Sequence, residues 1–71
     1  MTIYVDLVLD SGELVRIECP EKHEDALFQA LENAMKRRDW WAPGMFDKCS
    51  AEFMGMSIDR VNMARVVGMM G

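Results

Sequence analysis

Two stretches of alternating side chains, Ile3-Tyr4-Val5-Asp6-Leu7-Val8-Leu9 and Leu14-Val15-Arg16-Ile17-Glu18-Cys19, stand on either side of Asp10-Ser11-Gly12. A three-residue hairpin loop places a glycine in the left-handed region at its last position, and Gly12 occupies that place. Closing the hairpin this way sets the register, and the register can be checked against chemistry. Leu7 then faces Val15, Val5 faces Ile17 and Ile3 faces Cys19 on one side. On the other side Val8 meets Leu14, Tyr4 meets Glu18 and Asp6 meets Arg16. One face is almost wholly apolar, and the other carries an opposite-charge pair of the kind that favours cross-strand pairing. A slip by one residue would scramble both faces. The chain therefore starts as an antiparallel hairpin with one side to bury.

Pro20 ends the second strand and suits the first position of a helix. From Glu21 to about Trp40 the spacing predicts a helix, with Leu27, Leu31, Ala34 and Met35 on one stripe and Phe28 and Ala30 at its margins. Glu21, Glu24 and Asp25 fall in the first turns, and Lys36, Arg37 and Arg38 in the last, so both ends complement the helix dipole. Asp39 to Lys48 breaks the pattern. Ala42-Pro43-Gly44-Met45 predicts a type II turn, with Pro and Gly at its central positions. Ala51 to Phe53 predicts a strand, Gly55 a bulge or bend, Met56 to Ile58 a continuation, and Val66 to Met70 a further strand. The alternative for this last third is a short helix capped by Ser57 and running to Arg65; Gly55 and Gly68 weigh against a strong helix there. The expected fold is α+β of the form ββαββ, an antiparallel sheet with one helix packed on one face, in a single domain spanning residues 1–71.

A chain of 71 residues buries only a thin core. At this size apolar burial and chain entropy nearly cancel, and a staple, a metal or a second copy commonly supplies the remainder. A homodimer is therefore expected. With 51% hydrophobic and 28% charged residues the chain folds and is not disordered. Its net charge of −4 counts against a nucleic-acid duplex and against an anionic membrane surface. No run approaches the ~20 apolar residues of a membrane span. The apolar stretch Ile3 to Leu9 is interrupted by Asp6 and has no basic leader, so it does not read as a signal peptide. Cys19 and Cys49 lack a framework spacing; they allow one internal bridge at most and read as reduced thiols in a cytoplasm.

The most suggestive segment is the loop after the helix, where Trp40, Trp41, Met45 and Phe46 lie close together. Aromatic and Met side chains are enriched where interfaces bury their anchors. Trp41 continues the helix stripe and is expected to close the core, while Trp40 is divided between core and surface. Glu21, Glu24 and Asp25, with Glu18, form an acidic end that could meet a basic partner or simply stabilise the helix start. The sequence has eight methionines; they suit an adaptable surface and also fill gaps in an ordinary core. Met54-x-Met56 is a weak fragment of a copper site. Cys19, His23 and Cys49 could supply three zinc ligands, but no second closely spaced pair completes the pattern. The dull reading puts Cys19 in the core and His23 in solvent at the helix start. No nucleophile elbow, phosphate-binding loop, dinucleotide fingerprint or zinc-protease motif is present, and so thin a domain has little room for a deep site.

The residues therefore point to a non-enzymatic protein-binding module without a cofactor or metal, a small cytoplasmic regulator or inhibitor that occupies a surface of a larger host complex. Small acidic domains of this make-up are commonly encoded by phages and mobile elements, anti-defence proteins among them. Partner contacts are expected at Trp40, Trp41, Met45, Phe46, Glu21, Glu24 and Asp25. Two alternatives stand beside this reading. One is a metal-binding or redox module built on Cys19, His23 and Cys49. The other is a nucleic-acid-associated regulator using Lys36, Arg37 and Trp40 by charge and stacking, although nucleic acid is disfavoured by the acidic balance.

Overall fold

The opening hairpin forms in the expected register. In the computed structural model, which describes residues 1–70, β1 (Thr2–Leu9) pairs antiparallel with β2 (Leu14–Pro20). Leu7 stands opposite Val15, Val5 opposite Ile17 and Asp6 opposite Arg16. Gly12 adopts φ +89. Its N–H donates to the Leu9 carbonyl, and the Leu9 N–H donates to the Glu13 carbonyl, both at 2.9 Å.

The free edge of β2 takes β4 (Ser50–Phe53), which takes β5 (Met56–Ile58); the free edge of β1 takes β7 (Val66–Met70). The order β5-β4-β2-β1-β7 makes one antiparallel sheet of five strands. A second, two-stranded sheet joins β3 (Trp40–Trp41) to β6 (Val61–Asn62). Gly55, expected as a bulge or bend, is instead the second residue of a tight turn. Met54 and Gly55 have φ 52 and φ 79, as a two-residue primed hairpin turn requires. Ser57 lies within β5 and caps no helix; residues Met63–Arg65 form a 3-10 turn whose cap is the Asn62 side chain, accepting from the Ala64 N–H at 3.1 Å.

The helix is shorter than its periodicity suggested. Glu21–His23 close as a 3-10 turn after the extended Pro20, and α1 proper covers Glu24–Arg37. It stops because Arg38 turns left-handed, φ 56 and ψ 43. The Arg38 N–H then donates to the Met35 carbonyl and the Asp39 N–H to the Ala34 carbonyl, each at 3.2 Å, so carbonyls of the last turn are satisfied without further helix. The Ala42–Met45 segment is not a type II turn. Pro43–Met45 is a 3-10 turn, and Gly44 is not in the left-handed region that a type II turn demands.

α1 lays Leu27, Leu31 and Ala34 on the apolar sheet face, against Val5, Leu7, Val15, Ile17 and Cys19. Leu9, Trp41, Ala51, Val61, Met63 and Val66 complete the core. Each fully buried large side chain contributes roughly 1.5–3 kcal/mol. The opposite sheet face presents Tyr4, Asp6, Val8, Leu14, Arg16 and Glu18. It is a mixed surface: the Arg16 guanidinium bonds Asp6 at 2.9 Å and lies 5.5 Å from the centre of the Tyr4 ring. No helix among the described residues is long and apolar enough to cross a membrane.

Candidate functional site

The chain leaves α1 through a set of short tethers. The Asp39 side chain accepts the Trp40 N–H at 2.8 Å, and the Asp39 carbonyl accepts the Met63 N–H at 3.0 Å. The Arg38 guanidinium donates to the Ala64 carbonyl at 3.2 Å. These bonds hold β3 beside β6, with Trp40 opposite Asn62 and Trp41 opposite Val61. Consecutive strand residues point to opposite sides. Trp41 therefore points inward and is 5% exposed, whereas Trp40 points outward and is 56% exposed.

Trp40 forms a ridge between two recesses. On one side a groove of about 480 Å³ runs between α1, through Ala30, Ala34 and Arg37, and the segment carrying Trp40, Trp41 and Met45. Met45 is 64% exposed on its wall. On the other side a smaller recess of about 170 Å³ is lined by Ile58, Val61, Arg60 and Arg65. The Arg60 guanidinium sits 5.0 Å from the Trp40 ring centre, a cation–π contact.

Basic residues gather around Trp40, with Asp10, Asp39 and Asp59 among them. Lys36, Arg37, Arg38, Arg60 and Arg65, five of the chain's eight basic residues, lie at this end. Arg65 is paired with Asp10 at 3.3 Å. Glu21, Glu24 and Asp25 are exposed at the opposite end of α1, about 20 Å away at ~1.5 Å of rise per residue. The expected partner residues thus separate into two patches. Trp40, Trp41 and Met45 share one groove, and the three acids stand apart. Phe46 belongs to neither, being half-buried, packed on the core and set against His23 with ring centres 5.4 Å apart and ring planes tilted by 38°. His23 is accordingly not the solvated residue its position suggested. Its Nε2, like Trp41 Nε1, is buried without a hydrogen-bond partner.

Of the trio Cys19, His23 and Cys49, the structure joins the two cysteines. Burial, then a hydrogen bond with the Cys19 thiol, pushes the Cys49 thiol up to about 12. Among the described residues no three His, Cys, Asp or Glu side chains converge as a set that could hold a metal ion. Sequence reasoning missed Arg60, which meets the Trp40 ring, and Arg65, which lines the same recess; the β3–β6 pairing brings that part of the chain to Trp40. It also missed the cysteine pairing, which the β2–β4 register would have revealed. Compared with protein families, curated proteins and solved structures, the chain matches none.

Proposed function

We propose that the chain is a non-enzymatic protein-binding module whose contact surface is the Trp40–Met45 groove. The exposed Trp40 indole carries this reading. More than half of its surface faces solvent, on a scaffold that fixes its backbone on both sides. Covering the remainder is worth roughly 2–3 kcal/mol, before any contact by Met45. Arg37, Arg60 and Arg65 flank the indole, so the complementary surface is an apolar segment rimmed by carboxylates. Glu21, Glu24 and Asp25 join the same footprint for a partner that spans the length of α1. In this reading the protein acts in the cytoplasm as a regulator or inhibitor of a larger host complex, of the kind that phages and mobile elements direct at defence systems. The support for that role is general: small size, net acidity and the lack of catalytic motifs.

The test is capture of a partner from a lysate of the host on immobilised protein. Trp40→Ala and Met45→Ala should each weaken capture of the same partner at least tenfold. Val67→Ala, an exposed apolar residue lining neither recess, should leave it intact. Undiminished capture by both groove variants would overturn the reading.

The cations around Trp40 favour a second reading, in which the same surface holds a single strand of nucleic acid by stacking and charge. Binding to an oligothymidylate at low salt would then fall steeply between about 50 and 200 mM salt. No binding at the lower salt concentration removes it.

A further inference from the structure

β2 and β4 run antiparallel with Val15 opposite Phe53, Ile17 opposite Ala51 and Glu18 opposite Ser50. The ladder ends at that last pair, and Cys19 and Cys49 are the residues that come next along the two segments, so the same register carried one step further sets them opposite each other just outside β4. Directly opposed residues of an antiparallel pair have Cα atoms about 4.5–5.5 Å apart, inside the ~4.4–6.8 Å that a disulfide spans. Both side chains lie on the core side. Cys19 follows Val15 and Ile17 along the buried face of β2, and Cys49 packs against the same core cluster. Cys19 is fully buried, Cys49 is partly exposed, and both are free thiols.

We propose that Cys19 and Cys49 form a built-in dithiol which an external small-molecule disulfide closes into an intramolecular cross-strand bond. The partly exposed Cys49, as thiolate, attacks one sulfur of a disulfide such as oxidised glutathione and expels one glutathione thiolate, which takes a proton from water. Cys19 then attacks the Cys49 sulfur of the mixed disulfide, loses its proton to water and expels the second glutathione. Two protein thiols are oxidised to one disulfide, and one glutathione disulfide is reduced to two thiols. Burial and the neighbouring Cys19 thiol both raise the Cys49 thiol, which disfavours the attacking thiolate and makes the pair a slow staple and not a fast sensor. The bond ties β2 to the end of the segment that runs from the buried Trp41 past Met45, anchoring that segment at both ends.

The experiment is incubation of the reduced full chain with oxidised glutathione at mildly alkaline pH, followed by intact-mass measurement and urea unfolding. Closure is expected to lower the monomer mass by about 2 Da, reversibly with dithiothreitol. It should lower the unfolding equilibrium constant by roughly a hundredfold. Cys49→Ser, a change at a partly exposed position, should lose both effects while unfolding like the reduced parent. A stable adduct carrying one glutathione, disulfide-linked dimers alone, or an unchanged mass after a day would each overturn the proposal.

Discussion

At the scale of single residues the outer sheet face offers a clean electrostatic test. The guanidinium of Arg16, through its hydrogen bond to Asp6, holds the Asp6 carboxyl below the usual carboxylate range. A carboxyl whose folded pKa is depressed stabilises the fold fully above its unfolded pKa, and that contribution is lost as pH falls through the lower folded value. Asp6→Asn should therefore lower the urea midpoint at neutral pH. The gap to the parent should hold down to about pH 5 and close below about pH 4. A gap independent of pH would mean that Asn acts through packing and not through charge. In the core, Leu31 is fully buried between α1 and the sheet, and Leu31→Ala should cost about 2–5 kcal/mol. A domain of this length has roughly 4–11 kcal/mol in total, so circular dichroism should show this variant partly or wholly unfolded at moderate temperature.

Among the elements, the β4–β5 turn departs furthest from its ideal chemistry. Met54 sits at φ 52 with its side chain mostly in solvent, where a left-handed residue other than Gly, Asn or Asp is strained by roughly 1–2 kcal/mol. Met54→Asn should recover part of this, about 0.5 kcal/mol or more, read as a raised urea midpoint. No gain would mean that the Met54 side chain makes a contact its exposure does not suggest. The same turn shows why parts of the fold were hard to read. The first hairpin was legible because period-two alternation and Gly12 agree on one register. The second was not, because Met-Gly is no turn signature and its strands are short. The helix was legible in its buried stripe but not in its end, since Arg38 adopts a conformation that arginine does not advertise. In the candidate site the burial of Trp41 was expected from the helix stripe, but the helix ends at Arg37 and it is the β3–β6 pairing that turns Trp41 inward. The outward Trp40 was not legible, because pairing with Asn62, distant in sequence, decides which way it faces. Arg60 and Arg65 were silent for the same reason.

At the scale of the whole molecule, one face of the sheet has no helix over it among the described residues. One helix shields a single side of five strands, and the other side exposes Tyr4, Leu14 and Met70 around the Asp6–Arg16 pair. A stable dimer buries about 800 Å² on each partner, roughly one-sixth of the 4701 Å² this protomer exposes. A symmetric pairing is the arrangement that brings one mixed face against its own copy, since an isologous contact sets each exposed apolar residue near its equivalents across a two-fold axis. Asp6 and Arg16 already neutralise one another within one chain, but Glu18 and Glu52 on the same face have no ion-pair partner among the described residues, so such a pairing must set the two copies at an offset that keeps these carboxylates apart. Light scattering of the purified chain should then report twice 8.1 kDa. Leu14→Glu, which adds a charge at an exposed position, should return it to the protomer mass with its circular dichroism unchanged. A parent that stays at the protomer mass up to about millimolar concentration, where even weak self-association shows, would leave the groove beside Trp40 as the surface by which this molecule meets others.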